Sequence, residues 1–371
     1  MQSRFGPSRL PTAHEPQTRH YGLHVSPEPV LHPVYLPFAE EQLLKHFAPV
    51  ARRTRTEEGL RHLGHYRASV ERLAAFEAGP RPTGKDARSL TRRARQIEKD
   101  ERFWVVAALM AAYYSSDRVE SFARLLTTAL GERPPVDGLD TWAAALSGRL
   151  HLFFEVNLPS PPAYRRWLRE RIATRTLIPY VREAAADAGT RLEGPTHVDA
   201  LLLNEDTGFG VLFEAKVISD CDSKVVFDVV RNQIARNVDV MLDANPRLVP
   251  PLTKRSPTRT CFVLLTPELF KQQPRSRLYG WLLSSYRQHP QTLAHDLAHR
   301  DEGEVGGWPA VSRRLGWLTF EDCERMVPGA CRWLREDELV RGPSQAAAGQ
   351  STPGPTRSAI IEAIRSSASP S

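Results

Sequence analysis

The chain has 371 residues, of which 41% are hydrophobic and 25% charged, with a formal net charge of +7 and a pI near 9.4. This is the composition of the soluble globular class, with enough length for two domains with real cores. No apolar run approaches the roughly 20 residues that cross a bilayer, the longest clear one being residues 105–112; no membrane partner is expected. The start, Met1-Gln-Ser-Arg-Phe5, lacks an apolar export core, and the four cysteines Cys221, Cys261, Cys323 and Cys331 contain no Cys-x-x-Cys pair. Both features point to a reducing cytoplasm and argue against a disulfide framework or a zinc knuckle.

In chain order, residues 1–32 are rich in Pro, His, Ser and Gln without periodic pattern, and read as a disordered arm. Residues 33–150 read as an all-helical domain, with helices over 40–51, 57–78, 85–114, 118–130 and 139–150 and loops over 79–84 and 131–138. Residues 151–341 read as an α/β domain. Its first helix runs from Pro162 to about 187, with Glu170 on a stripe with Trp167, Thr174, Leu177 and Val181. Two apolar runs, Thr196-His-Val-Asp199-Ala-Leu-Leu-Leu and Val211-Leu-Phe-Glu214-Ala-Lys216-Val-Ile, flank a Gly-containing loop and read as a hairpin. Side chains alternate along a strand, so Glu214 and Lys216 share one face, and Phe213, Ala215 and Val217 the other.

A second helix, 224–242, places Gln233, Arg236 and Asn237 at i, i+3 and i+4 beside Phe227, Val230, Ile234 and Met241. Residues 260–266 read as a buried strand and 276–300 as a helix interrupted at Pro290. Residues 315–320 read as a last strand before a helix, and 342–371 as a disordered tail. No internal repeat, P-loop or dinucleotide-binding Gly pattern occurs.

Two charges in an apolar strand are costly unless paired or metal-bound, so Glu214 and Lys216 suggest chemistry. Asp199, a gap, then Glu214-Ala215-Lys216 resembles the signature of the PD-(D/E)XK, or restriction-endonuclease-like, nuclease superfamily, over roughly residues 160–270. The resemblance implies an α/β restriction-endonuclease-like mixed sheet flanked by helices, here preceded by an all-helical region, with core order helix, strand, strand, strand, helix, strand. It implies a nuclease using Mg²⁺ or Mn²⁺, hard cations that favour oxygen ligands. Asp199, Glu214 and the Ala215 carbonyl would hold the metal, with Glu170 completing the shell. Lys216 would orient or deprotonate the attacking water, a role suited to a lysine whose charged form is disfavoured. Gln233 and Arg236 would contact phosphate or hold the ligands. Together with Asn237, Arg165 and Arg169, Arg236 makes up the expected nucleic-acid contacts.

The expected substrate is DNA, in restriction or defence, cut by a possible homodimer. A binding module without catalysis and an RNA-directed nuclease are the alternatives. Plainer readings stand beside these: an edge-strand salt bridge for Glu214 and Lys216, a turn cap for Asp199, and a solvated face for Glu170, Gln233 and Arg236. Glu155, in an apolar segment, competes with Glu170. His197 borders the site or is structural. His295 and His299 have zinc-ligand spacing but lie on a His- and Gln-rich polar stretch. Arginine runs at 51–55, 91–95 and 164–169 favour an anionic partner.

Overall fold

The computed structural model describes residues 38–47, 55–175, 193–221 and 231–334 except 332, together with positions 179 and 183. The expected arm, tail, and the 176–178, 180–182, 184–187 and 224–230 portions of the two predicted helices lie outside the described residues. Helices α1 (Glu40–Leu44), α2 (Arg55–Ala78), α3 (Ala87–Ala94), α4 (Glu101–Tyr113), α5 (Arg118–Leu130) and α6 (Trp142–Leu146) precede the sheet. Strand β1 (Leu150–Leu158) comes next, then α7 (Pro162–Arg175), β2 (Thr196–Asn204), β3 (Gly210–Ala215) and α8 (Gln233–Met241). After β4 (Thr260–Thr266) come α9 (Glu268–Gln272), α10 (Leu278–Gln288), α11 (Pro290–Asp296) and α12 (Trp308–Arg313), then β5 (Leu315–Thr319) and α13 (Phe320–Met326).

The five strands form one mixed sheet in the order β1-β2-β3-β4-β5. β2 pairs antiparallel with both β1 and β3, whereas β3, β4 and β5 run parallel. Parallel neighbours need crossovers, and the segments carrying α8 and α9 to α12 supply them. Helices cover both faces, which explains why β3, β4 and β5 are buried at every residue and read as continuous apolar runs. On one face Phe154, Leu202, Phe213 and Val263 pack with Phe103, Leu109 and Phe122 of α4 and α5. On the other, Leu201, Leu212 and Leu264 pack with Ile234 and Val238 of α8 and Tyr286 of α10. The N-terminal helices therefore share a core with the sheet, and the described residues from Phe38 onward fall in one compact unit.

Three local readings change. The stretch read as one helix over 85–114 is broken at Asp100, which caps α4 by accepting the Arg102 amide at 3.2 Å. The stretch read as a helix over 139–150 is the short α6, followed by the start of β1. A strand thus precedes α7, where the expected order placed the helix first. The hairpin between β2 and β3 is as read: the Asn204 side chain accepts from the Asp206 amide at 2.9 Å, and Gly208 has φ +71. No helix among the described residues is long and apolar enough to cross a membrane.

A buried charge cluster locks α8 to the chain after α11. Asp239 receives Arg231 at 2.6 Å, His299 at 2.9 Å and Arg300 at 2.5 Å, all with side chains at most 3% exposed. The Arg231 guanidinium also lies 3.5 Å from the centre of the Tyr164 ring. Burial alone would raise the Asp239 carboxyl, but Arg231, His299 and Arg300 hold it well below the usual carboxylate range. Its contribution to stability is present above the unfolded value of about 3.9 and is lost as pH falls further. Asp239→Asn, which removes the carboxylate shared by Arg231, His299 and Arg300 and leaves the two arginines with Glu193 and Glu304, should lower unfolding free energy by about 3 kcal/mol at neutral pH. Urea titration across pH 2–7 checks this, and a loss below about 1 kcal/mol would contradict it.

Candidate active site

The site begins where two strands part. Pairing of β2 with β3 ends at Ala200 opposite Phe213, so Asp199 and Glu214, next in register, are released from the ladder. Asp199 fills the gap: its Oδ2 accepts the Ala215 backbone N–H at 2.7 Å. Ala215 itself still pairs with Leu265 of β4, and the Lys216 amide donates to the Leu265 carbonyl at 2.9 Å. The sheet thus stays closed on one side of the site and opens on the other.

Glu214 is 1% exposed, and its carboxylate accepts hydrogen bonds from three side chains. Lys216 Nζ reaches Oε1 at 2.9 Å, Gln233 Nε2 reaches the same oxygen at 2.5 Å, and Asn237 Nδ2 reaches Oε2 at 3.1 Å. Gln233 and Asn237 are one helical turn apart on α8, so the i, i+4 spacing points both amides at one carboxylate. Alternation holds as read: Glu214 faces α8, while Phe213, Ala215 and Val217 belong to the opposite core.

Lys216 is bracketed by acids. Glu101, the first residue of α4, approaches Nζ at 3.5 Å, accepts the Val217 amide at 3.3 Å and accepts the Ser219 hydroxyl. Burial pulls the ammonium down, but Glu214, Glu101 and Asp199 outweigh it and hold the lysine above its ordinary value. The expectation that its charged form is disfavoured is therefore reversed, because the surrounding charge is negative.

Glu155 supplies the third carboxylate on the β2 side. Residues of β1 and β2 pair on both sides of it, Phe154 with Ala200 and Val156 with Val198, but Glu155 and Asp199 between them do not. Glu155 has φ +54, the left-handed region that a non-glycine residue rarely adopts. The kink shifts the strand's alternation: Phe154 packs on the α4 face, and Val156, two residues on, packs on the opposite one. Burial pushes the Glu155 carboxyl up to about 7, against the pull of Arg102. Asp199 is raised well above its ordinary value by burial and then by Glu214. Glu155 and Asp199 line an open cleft of about 590 Å³ together with Glu101, Arg92 and Lys99.

Of the residues read from the sequence, Asp199, Glu214, Ala215, Lys216, Gln233 and Asn237 come together. Asn237 is fully buried and holds Glu214, which replaces the expected nucleic-acid contact. Arg236 turns from the cleft to Glu193 at 3.3 Å. Glu170 is exposed on α7, and neither it nor Arg165 and Arg169 lines the cleft. The helix buries Tyr164, Leu168 and Ile172 instead, a stripe rotated from the one expected to carry Glu170 inward. His197 is exposed. His295 and His299 separate: α11 ends at Asp296, His295 is 71% exposed, and His299 is buried against Asp239, so the pair does not converge on a metal. Sequence reasoning missed Glu101, whose signal was the Asp100-Glu101 helix start ahead of an apolar run.

No family model matches this chain, and no curated protein and no solved structure matches it.

The donor chemistry fits a hard divalent cation: Asp199, Glu214 and Glu155 present carboxylate oxygens, and burial, with Glu214 and Glu155 beside it, raises the Asp199 carboxyl. Among the described residues, however, no group of three His, Cys, Asp or Glu side chains is already gathered as a metal site. Lys216 balances Glu214 in its place. The backbone at Glu155 gives a direct check on local strain. Glu155→Gly removes both the left-handed penalty and a buried carboxyl, and should raise stability by about 1 kcal/mol in urea unfolding. A loss of stability would show that Glu155 is held by favourable contacts rather than against strain.

Proposed function

We propose that this chain is a nuclease that hydrolyses phosphodiester bonds of DNA with a divalent metal, Mg²⁺ or Mn²⁺. The observation that carries the reading is the meeting of Asp199, Glu214 and Lys216 where β2 and β3 diverge, with Glu214 clamped by Gln233 and Asn237. A structural salt bridge has no need of two helix amides and two further acids around it. Asp199 and Glu214 would hold the metal, with the Ala215 carbonyl beside them and Glu155 facing Asp199 in place of the exposed Glu170. A bound divalent ion supplies charge neutralisation at the phosphate and a hydroxide near neutral pH.

The chain's own residues account for the rest. Gln233 and Asn237 fix the Glu214 carboxylate in one orientation, leaving it rigid when charge develops nearby. Lys216 places a cation at the open end of β3, where it can donate to a phosphate oxygen or to the attacking water. Glu101 anchors the turn after Lys216 through the Val217 amide and the Ser219 hydroxyl, keeping the ammonium from swinging out. Asp199, Glu155 and Glu101 open onto the cleft, while Glu214 and Lys216 lie buried directly behind them between the two apolar cores.

Purified protein with supercoiled plasmid and Mg²⁺ or Mn²⁺ should nick or cut the DNA, and chelator should stop it. Asp199→Asn, Glu214→Gln and Lys216→Met should each lower the rate by at least about 10²-fold. Asn237→Ala, which only frees Glu214, should cost about 10- to 100-fold. Wild type and the three site variants behaving alike on plasmid, single-stranded DNA and RNA would reject catalysis and leave a nucleic-acid- or protein-binding module. Cutting confined to RNA would reject DNA as the substrate.

A further inference from the structure

We infer that α3 and the 3-10 turn that continues it form the wall that grips the backbone of duplex DNA, with Arg92, Gln96 and Lys99 holding phosphates beside Asp199. The inference rests on the nuclease reading for its substrate and adds the surface that binds it. Arg92, Gln96 and Lys99 are spaced i, i+4 and i+7 across α3 and the turn Arg95–Lys99, so they form one stripe. All three line the cleft that also contains Asp199 and Glu155.

Among the described residues, Arg92 and Lys99 line the cleft without an ion pair, as Arg88 and Arg93 stand on the same helix outside it, whereas three other nearby cations are paired. Arg95 is paired with Glu98 at 2.8 Å, Arg102 with Asp100 at 2.8 Å, and Arg67 with Glu40. Among the described residues neither Arg92 nor Lys99 has a carboxylate partner, and Arg92 is exposed. α3 also buries no residue at all, so core packing does not account for its position. It carries Arg88 and Arg92 at i, i+4, a like-charge spacing that works against the helix and that a polyanion would relieve.

Geometry selects an extended polyanion over a small anion. From residue 92 to residue 99 the wall runs about 12 Å, at about 1.5 Å per residue in α3 and about 2.0 Å in the 3-10 turn, spanning more than three steps of one DNA strand at about 3.4 Å along the axis. The floor of the same cleft is acidic, with Glu101, Glu155 and Asp199, so a phosphate chain would be repelled without a cationic side wall. The other arginines proposed from sequence are placed elsewhere: Arg165 and Arg169 do not line the cleft, and Arg236 is engaged with Glu193.

Fluorescence anisotropy of a labelled duplex of about two helical turns, titrated in chelator at several salt concentrations, tests the wall without cleavage. Arg92→Ala combined with Lys99→Ala should weaken binding roughly tenfold near 0.1 M salt and make the slope of log K against log salt shallower by about two. Arg247→Ala with Arg313→Ala, which removes the same charge from exposed positions outside the cleft, should stay within about twofold of wild type, because a general loss of charge carries no site information. Thermal melts establish that the variants fold. Equal weakening in both double variants, no weakening in the first, a wild type that binds no duplex, or a preference for single-stranded RNA would each overturn the inference. The plasmid assay separates it from the reading beneath it. Cleavage with unchanged binding in the wall variant removes the grip and leaves the nuclease. Weakened binding in the wall variant, with a wild type that binds duplex but never cuts, removes the nuclease and leaves the grip.

Discussion

A carboxylate and an ammonium buried side by side at the end of β3 impose the constraint on which the site is built. Removing Glu214 and Lys216 from water costs several kcal/mol per ion unless each lone pair and proton finds a partner. Glu214 therefore draws two amides from α8 on one side, and Lys216 draws Glu101 from α4 on the other. These contacts connect helices that belong to opposite faces of the sheet, and through them two otherwise separate apolar cores meet at one point. The same demand explains why α8 carries Gln and Asn one turn apart in a helix that otherwise buries Ile234, Val238 and Met241. It also explains why α4 begins where it does: moving the Asp100 cap by one residue would take Glu101 away from Lys216.

What was legible in the sequence was what local periodicity controls. Alternation placed Glu214 and Lys216 together, helical spacing grouped Gln233 with Asn237, and turn chemistry located the hairpin at Asn204 and Gly208. Glu155 was named as a rival of Glu170, but its place beside Asp199, like the whole role of Glu101, depends on pairings distant along the chain. Glu155 faces Asp199 only because β1 pairs with β2 across the whole of α7, and no pattern around residue 155 announces a left-handed kink. Glu101 meets Lys216 across 115 positions, within a run that reads as one long helix until the Asp100 cap interrupts it. Glu170 was misread for a related reason. An arginine-rich helix with aromatic residues on two sides offers two stripes of similar hydropathy, and packing chose Tyr164, Leu168 and Ile172.

The kink at Glu155 and the parting of β2 from β3 act on the same residue from both sides. Asp199 loses its ladder partner on β1 and its ladder partner on β3, yet Val198 and Ala200 next to it remain paired to β1. A residue so placed has a backbone fixed by its paired neighbours and a side chain held by the Ala215 N–H, which is what positions a functional carboxylate with little reorganisation. The cost is visible in the left-handed backbone of Glu155 and the raised Asp199 carboxyl, both sources of local instability that the dense apolar packing on the two faces outweighs.

Charge placement carries more information than the total of +7. Most arginines near the site are already neutralised by a carboxylate, including Arg102, Arg231 and Arg236, and these shape the fold rather than its exterior field. Screening over about 8–10 Å at ordinary salt further limits distant surface charge, so the field a ligand meets at the cleft is set by the few groups that line it. There the acids lie at the floor and the unpaired cations on the α3 wall. A single small cation drawn to the floor and an anion drawn to the wall would each satisfy half of that field. A polyanion with a divalent ion at one phosphate satisfies both halves at once, and this complementarity, rather than the basic composition, ties the wall to the chemistry proposed at Asp199 and Glu214.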